Sequence, residues 1–200
     1  MNVIGKRLLT FYDVTSTNDV AKMEAEQGAE EGLVVVAREQ TQGRGRRGRG
    51  WVSRPGLGVY LSVVLRPQTP DAESIAILGG VATAEVMRNF GLEGVTIKWP
   101  NDVLVNGRKI AGVLVEPRMG QGRVEFAVLG IGVNVRHEAE DWPDELKDIA
   151  TSLLREGSDV ECDAVISALL KSLDEHYAKP ETLLDAWSRW SGSARPPVIY

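Results

Sequence analysis

The sequence predicts an α+β protein with a mixed, largely antiparallel sheet flanked by helices. Most apolar runs of strand length fall in the first two-thirds of the 200-residue chain, and helical segments dominate the last third. Asn106-Gly107 stands between two apolar runs, which is typical of a tight hairpin between antiparallel strands. Strands grouped in this way, with few helices between them, favour this class over a doubly wound parallel sheet.

Apolar runs and polar breaks alternate in the first part of the chain. Strands are predicted at residues 8–12, 33–37 and 59–65, and the last two are continuous apolar runs of the kind found in buried strands. A short helix is predicted within residues 20–25, ending at Gly28. Residues 40–53 hold many glycines and almost no apolar residues, so they are predicted to form a loop.

The second part of the chain begins with a long helix predicted over residues 73–90. Its paired glycines, Gly79 and Gly80, imply close packing against a neighbouring element. Strands are then predicted at 95–99, in the hairpin from 103 to about 116, and at 124–135. Helices are predicted at 143–154, 163–178 and 181–190.

Charge and composition exclude several classes of function. Lys and Arg number 23 and Asp and Glu 28, so the net charge of −5 makes the chain a poor general binder of nucleic acid. One cysteine, Cys162, and two histidines, His137 and His176, permit neither an internal disulfide nor a structural zinc site. Both histidines are predicted at the surface. No secretory signal or membrane-spanning apolar run is present, which predicts the cytoplasm.

Residues 43–51, GRGRRGRGW, place four arginines among glycines. Glycine lets the backbone approach a ligand and offer N–H groups to anionic oxygens, and arginine adds bidentate donors. The planar ring of Trp51 can stack on another planar group. A solvated loop or an RNA contact is the alternative, but the position between two buried strands of an acidic chain favours a ligand clamp.

A second group of polar residues lies at 98–102, KWPND, and at Lys109. Asn101 and Asp102 can hydrogen-bond the backbone of a turn, so turn formation is an alternative to ligand binding. Lys109 is predicted on the same side of its strand as Ala111 and Val113, where a lysine is costly unless an anion neutralises it. An inward ion pair or a lysine that extends to solvent remains equally open.

Two shorter motifs have a structural and a functional interpretation. Gly130 and Gly132 lie within an apolar run and indicate a bulge or a close backbone approach, for which packing alone is a sufficient reason. Asn134 in the same run needs a hydrogen-bond partner. The residues of 16–18, STN, are typical helix N-caps first and ligand donors second.

Together these segments resemble the biotin protein ligases, also called biotin–acetyl-CoA-carboxylase ligases. The resemblance spans roughly residues 8–190 and depends on STN at 16–18, Gln40 with GRGRRGRGW, KWPNDVLVNGRKIAGVLVE at 98–116 and GIGVNV at 130–135. It implies the catalytic fold shared with class II aminoacyl-tRNA synthetases. It also implies a two-step reaction in which biotin and Mg²⁺-bound ATP form biotinyl-5′-AMP, and a lysine of a biotin carboxyl carrier protein then takes the biotinyl group.

The resemblance also assigns roles to individual residues. Lys109 and Arg46 are the expected catalytic residues, and no resident metal site is expected. Biotin binding is expected from Ser16, Thr17, Asn18, Gln40, Arg44, Gly45, Arg46, Lys109 and Gly112. Adenylate binding is expected from Arg46, Arg49, Trp51, Lys98, Asn101 and Asn134.

Domain organisation follows from the same resemblance. Residues 1–190 are expected to form the catalytic domain, and residues 191–200 the start of a truncated or missing C-terminal domain. No room precedes the first strand for a DNA-binding helix-turn-helix, so neither DNA nor a membrane is an expected partner, whereas a homodimer is compatible. The alternatives are a lipoate or octanoate ligase of the same superfamily and a biotin-binding module without catalysis.

Overall fold

The structure is a computed structural model that describes residues 3–67, 72–120 and 123–191. The described strands are β1 (Leu8–Val14), β2 (Val34–Gln40), β3 (Gly58–Leu65), β4 (Val95–Lys98), β5 (Asp102–Val105), β6 (Arg108–Gly120) and β7 (Arg123–Asn134). The described α-helices are α1 (Thr17–Glu26), α2 (Ala72–Asn89), α3 (Cys162–Tyr177) and α4 (Leu183–Trp190).

The strands form one seven-stranded sheet in the order β1-β2-β3-β7-β6-β5-β4. β1 and β2 pair in parallel, and each of the other neighbouring pairs is antiparallel. The predicted α+β class with a mixed, largely antiparallel sheet is therefore confirmed.

The two faces of the sheet are covered unequally. β2 shows this best, because its alternate side chains point to opposite faces. Val34 and Val36 join the main core beneath α2, α3 and α4, whereas Val35 packs with Ala21 and Ala25 of α1. The single short helix α1 covers only one end of its face, and the rest of that face remains available to form a cleft.

The paired glycines of α2 confirm the predicted close packing. A Cβ on Gly79 would lie 2.9 Å from Leu129 Cδ1 and 2.9 Å from Val113 Cγ1, both on the sheet beneath. A Cβ on Gly80 would meet Ile97 at an ordinary 3.6 Å. The helix therefore approaches the sheet through Gly79 more closely than through Gly80.

This difference predicts opposite effects for two neighbouring substitutions. Gly79→Ala should lower the free energy of unfolding by about 1–2 kcal/mol, because the methyl group overpacks the core. Gly80→Ala should leave stability unchanged or raise it by up to about 1 kcal/mol, because alanine favours helix and meets no obstacle. Urea unfolding of both variants tests this, and equal destabilisation by the two would contradict it.

The hairpin between β5 and β6 has the predicted turn. Asn106 and Gly107 have φ values of 49° and 80°, so both adopt the left-handed conformation of a type I′ turn. Val103 pairs with Ala111, but Leu104 pairs with Lys109, which leaves one extra residue in β6 between the two pairs. This β-bulge turns Lys109 to the face opposite Ala111, so the prediction that Lys109 shares a side with Ala111 and Val113 is wrong.

The predicted helix at 143–154 is also wrong. The chain there forms short 3₁₀ turns at Asp144–Leu146 and Leu154–Glu156, with a turn at 147–149 and an isolated β-bridge at Ala150 between them. Lys109 N donates to Ile149 O at 2.8 Å, and Thr151 N donates to Lys109 O at 2.9 Å. These hydrogen bonds to the end of β6 replace the bonds that a continuous helix would have made within itself. The other predicted helices are confirmed within a few residues.

The histidines do not lie at the surface, contrary to the prediction. His137 is fully buried and its ring stacks on Trp142 with 5.2 Å between ring centroids. His176 is mostly buried and lies with Nε2 2.8 Å from Glu85 Oε2, between α3 and α2. Glu85 is distant from His176 in sequence, and the stacking of His137 on the nearby Trp142 occurs in an irregular segment, so neither contact follows from a periodic pattern.

The burial of His137 predicts a pH dependence of stability. Desolvation lowers the pKa of His137 from 6.5 to about 4. The negative charge of Asp141 raises this pKa by a smaller amount, and the positive charge of Arg54 lowers it further. The unfolded chain takes up this proton as the pH falls through 6.5, and the folded chain does so only near 4. Between these values the free energy of unfolding should fall by roughly 3 kcal/mol from this group alone.

Substitution of His137 tests this prediction. His137→Phe keeps an aromatic ring beside Trp142 and removes the titration, so its stability should fall less steeply than that of the parent over the same pH range. Denaturant unfolding at a series of pH values measures both slopes. Parallel curves for the two proteins would refute the assignment.

Two further expectations concern the C-terminal residues and membrane-spanning helices. The predicted start of a C-terminal domain at 191–200 lies, apart from Ser191, outside the described residues. In the described part of the chain, no helix is long and apolar enough to span a lipid bilayer.

Candidate active site

A cleft of about 710 Å³ lies on the same face of the sheet as α1. It is bordered by the start of α1, the loop of residues 43–51, the ends of β4 and β6, and the segment of residues 142–150. The structure brings every residue of the sequence-predicted site to its wall: Ser16, Thr17, Asn18, Gln40, Arg44, Gly45, Arg46, Arg49, Trp51, Lys98, Asn101, Lys109, Gly112 and Asn134.

One end of the cleft is lined by neutral hydrogen-bonding groups. Ser16 is buried and occupies the N-cap position of α1, but its side chain makes no capping hydrogen bond. Gln40 Oε1 accepts from Thr17 N at 2.9 Å, and Gln40 Nε2 donates to Ser53 Oγ at 2.9 Å. These two hydrogen bonds fix the orientation of the Gln40 amide. The side chains of Ser16, Thr17 and Gln40 at this end of the cleft are polar and uncharged.

The loop of residues 43–51, called here the arginine loop, has its own backbone structure. Gly45 N donates to Arg49 O at 2.7 Å, and Trp51 N donates to Gly43 O at 2.8 Å. Arg47 sits at the tip with a φ of 58°. The predicted loop is thus a short, tied turn that carries its arginines along one border of the cleft.

Arg44 is held by two carboxylates rather than left free for a ligand. Its guanidinium donates to Asp19 at 2.7 and 2.9 Å and to Glu116 Oε2 at 3.0 Å. These hydrogen bonds, first that to Asp19, raise the pKa of Arg44 above its usual value. Arg44 therefore fastens the arginine loop to α1 and β6. Sequence reasoning missed Asp19 and Glu116 because they come from separate segments.

The other cations of the cleft differ from Arg44 in their ion pairing. Arg46, Arg49 and Lys98 line the cleft and make no side-chain hydrogen bond or ion pair within the described residues. Lys109 Nζ lies 2.6 Å from Asp102 Oδ1 and 5.2 Å from the centroid of the Trp51 ring. The inward ion pair and the cleft position, which the sequence left as alternatives, both occur.

Asp102, for which the sequence left turn formation as an alternative to ligand binding, is not among the expected site residues but lines the cleft. Its position opposite Gly112 in the β5–β6 pair brings it onto the cleft face beside the displaced Lys109. The bulge that moves Lys109 is therefore also what creates the pair. The sequence contained one indication of this role, because Asp102 is a charged residue at the first position of a short strand.

Three glycines of the sheet leave room for side chains of the cleft to lie against its backbone. A Cβ on Gly132 would lie 2.5 Å from Trp51 Cε2, and one on Gly112 would lie 3.0 Å from Trp51 Cζ3. A Cβ on Gly130 would lie 2.2 Å from Asn18 Oδ1. Of the two alternatives predicted for Gly130 and Gly132, a bulge or a close approach, the structure shows a close approach, and the approaching groups are the side chains of Asn18 and Trp51.

Asn134 holds the outer wall of the cleft. Its Nδ2 donates to Thr151 O at 2.9 Å, which supplies the partner that the sequence required. The wall beyond it is mostly apolar and was missed because residues 143–154 were expected to be helical; it is formed by Trp142, Leu146, Ile149 and Ala150. Trp142 lies between the ring of His137 and the guanidinium of Arg155, which is 5.5 Å from its centroid.

The cleft thus joins a neutral hydrogen-bonding pocket, a cationic middle and an apolar wall. Within the described residues, no group of three or more His, Cys, Asp or Glu side chains is placed to hold a metal ion. The geometry is suited to a ligand that has a polar uncharged head and an anionic portion, followed by a flat apolar group.

The fold and the cleft define a protein of the class II synthetase-like fold with its ligand cleft on the sheet. A biotin protein ligase from Aquifex aeolicus, solved in complex with biotin and ATP, superposes with a TM-score of 0.75 at 30% identity. The match covers 92% of this chain and 75% of that one.

The chain belongs to the biotin/lipoate A/B protein ligase family, whose model matches residues 10–134. The bifunctional ligase/repressor BirA of Bacillus subtilis is 39% identical over 178 residues, 88% of this chain and 55% of that protein. The biotin–acetyl-CoA-carboxylase ligase of Mycobacterium tuberculosis is 36% identical over 80% of this chain and 59% of that protein. The chain thus spans little more than half the length of these relatives.

Proposed function

We propose that this chain is an ATP-dependent ligase that activates biotin as biotinyl-5′-AMP and transfers it to a specific lysine of a biotin carboxyl carrier protein. The observation that carries the proposal is the single cleft in which the Thr17–Gln40 pocket adjoins the cations Arg46, Arg49 and Lys109. Biotin has a neutral cyclic urea at one end and a carboxylate at the other, and ATP adds a polyanion. The relatives named above support the same activity.

The first step joins two anions, which is its main electrostatic difficulty. A carboxylate oxygen of biotin bonds to the α-phosphorus of ATP, and the bond from that phosphorus to the oxygen bridging to the β-phosphate breaks. Pyrophosphate leaves with the electron pair, accompanied by the Mg²⁺ that ATP brings as part of the substrate. Arg46 and Lys109 are proposed to lower the repulsion between the two groups and to stabilise the charge that develops on the phosphate oxygens.

The second step uses the mixed anhydride as an acyl donor. The uncharged ε-amine of the carrier lysine attacks the acyl carbon, the bond from that carbon to the AMP oxygen breaks, and the amide nitrogen loses a proton. AMP is a far better leaving group than the oxide that a free carboxylate would have to expel. The apolar wall around Trp142 and Ile149 is proposed to limit the access of water to the anhydride.

The proposed roles of the cleft residues follow their positions. Ser16, Thr17, Asn18, Gln40, Gly45 and Gly112 are proposed to bind biotin. Arg46, Arg49, Trp51, Lys98, Asn101 and Asn134 are proposed to bind the adenylate. Arg44 is proposed to contribute by fastening the arginine loop, since its guanidinium is already engaged by Asp19 and Glu116.

The proposed macromolecular partner is the carrier domain of a biotin-dependent carboxylase, as the relatives' names support. A homodimer through a sheet edge is also proposed, because β1 and β4 are the outer strands of the described sheet. The absence of DNA binding and a cytoplasmic location stay predictions from sequence.

A direct assay tests the proposal. The full chain is mixed with biotin and Mg²⁺-ATP carrying a label on the α-phosphate, and biotinyl-AMP and pyrophosphate are measured; lipoate replaces biotin in a parallel reaction. We expect biotinyl-AMP and pyrophosphate in the reaction with biotin, and no adenylate or pyrophosphate in the reaction with lipoate. Adenylation of lipoate in preference to biotin would indicate the lipoate alternative, and biotin binding without pyrophosphate would indicate a non-catalytic module.

A further inference from the structure

A chain of hydrogen bonds runs beneath the neutral end of the cleft and involves two residues outside the predicted site. Ser62 Oγ lies 2.6 Å from Asn18 Oδ1 and 2.8 Å from Thr17 Oγ1. Asn18 Nδ2 donates to Glu116 Oε2 at 2.6 Å. Ser62 is fully buried in β3, and Glu116 lies in β6.

The carboxylate at one end of this chain determines the direction of its protons. An ionised Glu116 can only accept, so the amide nitrogen of Asn18 faces it and the amide oxygen faces Ser62. The single proton of Ser62 must then go to Asn18 Oδ1. Thr17 Oγ1 then keeps its own proton for one of two protein acceptors, Ser62 Oγ at 2.8 Å or Gln40 Oε1 at 3.1 Å.

A cation lies beside this carboxylate. Arg44 Nη2 lies 3.0 Å from Glu116 Oε2 and 3.2 Å from Glu116 Oε1. The arginine loop and the polar pocket are consequently joined at one carboxylate. Ser62 donates to Asn18, Asn18 donates to Glu116, and Thr17 donates to Ser62 or to Gln40.

This order decides what the pocket offers to a ligand. Thr17 has used its proton within the protein, so its oxygen is available only as an acceptor. The second N–H of Asn18, a residue that lines the cleft, has no acceptor among the described residues and is available as a donor. We propose that Ser62 and Glu116 are positioning residues that set this acceptor–donor pair and thereby select a ligand whose ring carries an N–H beside a carbonyl. The inference rests on the proposed function, because a cyclic urea has this pattern.

The same pattern excludes other rings of similar size. A dithiolane ring, as in lipoate, has neither an N–H for Thr17 nor a strong acceptor for Asn18, so binding it would leave both groups unsatisfied. The specificity for biotin is thus assigned partly to two residues that do not line the cleft.

Calorimetric titration of biotin into the full chain and into Ser62→Ala and Glu116→Gln tests the proposal. Ser62→Ala removes the donor that holds Asn18 Oδ1 and one of the two acceptors for the Thr17 proton, and we expect biotin affinity to fall about 10- to 100-fold. Glu116→Gln keeps one acceptor oxygen, and a smaller loss of about 10-fold is expected. In steady-state adenylation the KM for biotin should rise, while kcat and the KM for ATP change less than 3-fold.

Matched controls separate a positioning role from a structural one. Ser167→Ala on α3 and Glu175→Gln remove an exposed hydroxyl and an exposed carboxylate far from the cleft, and neither should change biotin affinity. Biotin affinities of Ser62→Ala and Glu116→Gln within 2-fold of the parent would overturn the inference, as would equal losses for biotin and ATP with a lowered Tm. If the parent chain binds no biotin, the proposed function itself fails.

Discussion

Replacing Lys109 with alanine is expected to lower the rate of biotinyl-AMP formation by about 10²- to 10³-fold, while the protein stays folded. The lysine lines the cleft with its ammonium 5.2 Å from the centroid of the Trp51 ring, and among the described residues its ionic partner is Asp102. Its removal leaves the two reacting anions without that charge and leaves Asp102 facing them. Pyrophosphate release under saturating biotin and Mg²⁺-ATP measures the effect.

The matched control for this prediction is Lys171→Ala. Lys171 is an exposed lysine of α3 whose ammonium lies 3.9 Å from Glu175, so its loss removes the same charge far from the cleft. Parent-like adenylation is expected from the control. A Lys109→Ala protein that is as stable as the parent and keeps more than a third of its rate would contradict the proposed role.

Gly132→Ala is expected to have the second large effect, about a 10²-fold loss of biotin affinity. A Cβ at this position would lie 2.5 Å from Trp51 Cε2 and 2.6 Å from Trp51 Nε1, so the indole must move. Trp51 ends the arginine loop and lies beneath Lys109. The displacement therefore disturbs both the loop and the position of the ammonium group. Calorimetric titration with biotin measures the loss.

Gly80→Ala is the control for the general effect of adding a methyl group. Its Cβ meets Ile97 at 3.6 Å, on the far side of the sheet from the cleft, and biotin affinity should be unchanged. The Tm of Gly132→Ala should stay within a few degrees of the parent, because the indole is at the cleft border rather than in the main core. Unchanged biotin affinity in Gly132→Ala would show that biotin binding does not require the observed position of the Trp51 indole.

The elements that the sequence predicted correctly are those with a strong local pattern. The apolar run at 59–65 became the fully buried strand β3, and the helix expected at 73–90 became α2 within one residue at each end. The Asn106-Gly107 turn followed from the ability of these residues to adopt positive φ. Such features depend on neighbours within a few residues, which a single sequence contains.

The errors arose where distant segments replaced local interactions. The helix expected at 143–154 was lost because Ile149 and Thr151 bond to the backbone of Lys109. The face of Lys109 was misplaced because one bulge reverses the alternation of a strand. The burial of His137 depends on its stacking with Trp142, which no periodicity reveals.

The sequence by itself determined which residue types border the cleft, since the expected site residues converge there. Only the tertiary structure decided which of the cations remain available to a ligand. Arg44 is paired with Asp19, 25 residues away, and with Glu116, 72 residues away, whereas Arg46 and Arg49 of the same loop make no ion pair with any residue that the structure describes. Charge pairing depends on distance in space rather than along the chain, and only the packing of α1 against the sheet brings the carboxylates of Asp19 and Glu116 within about 3 Å of one guanidinium.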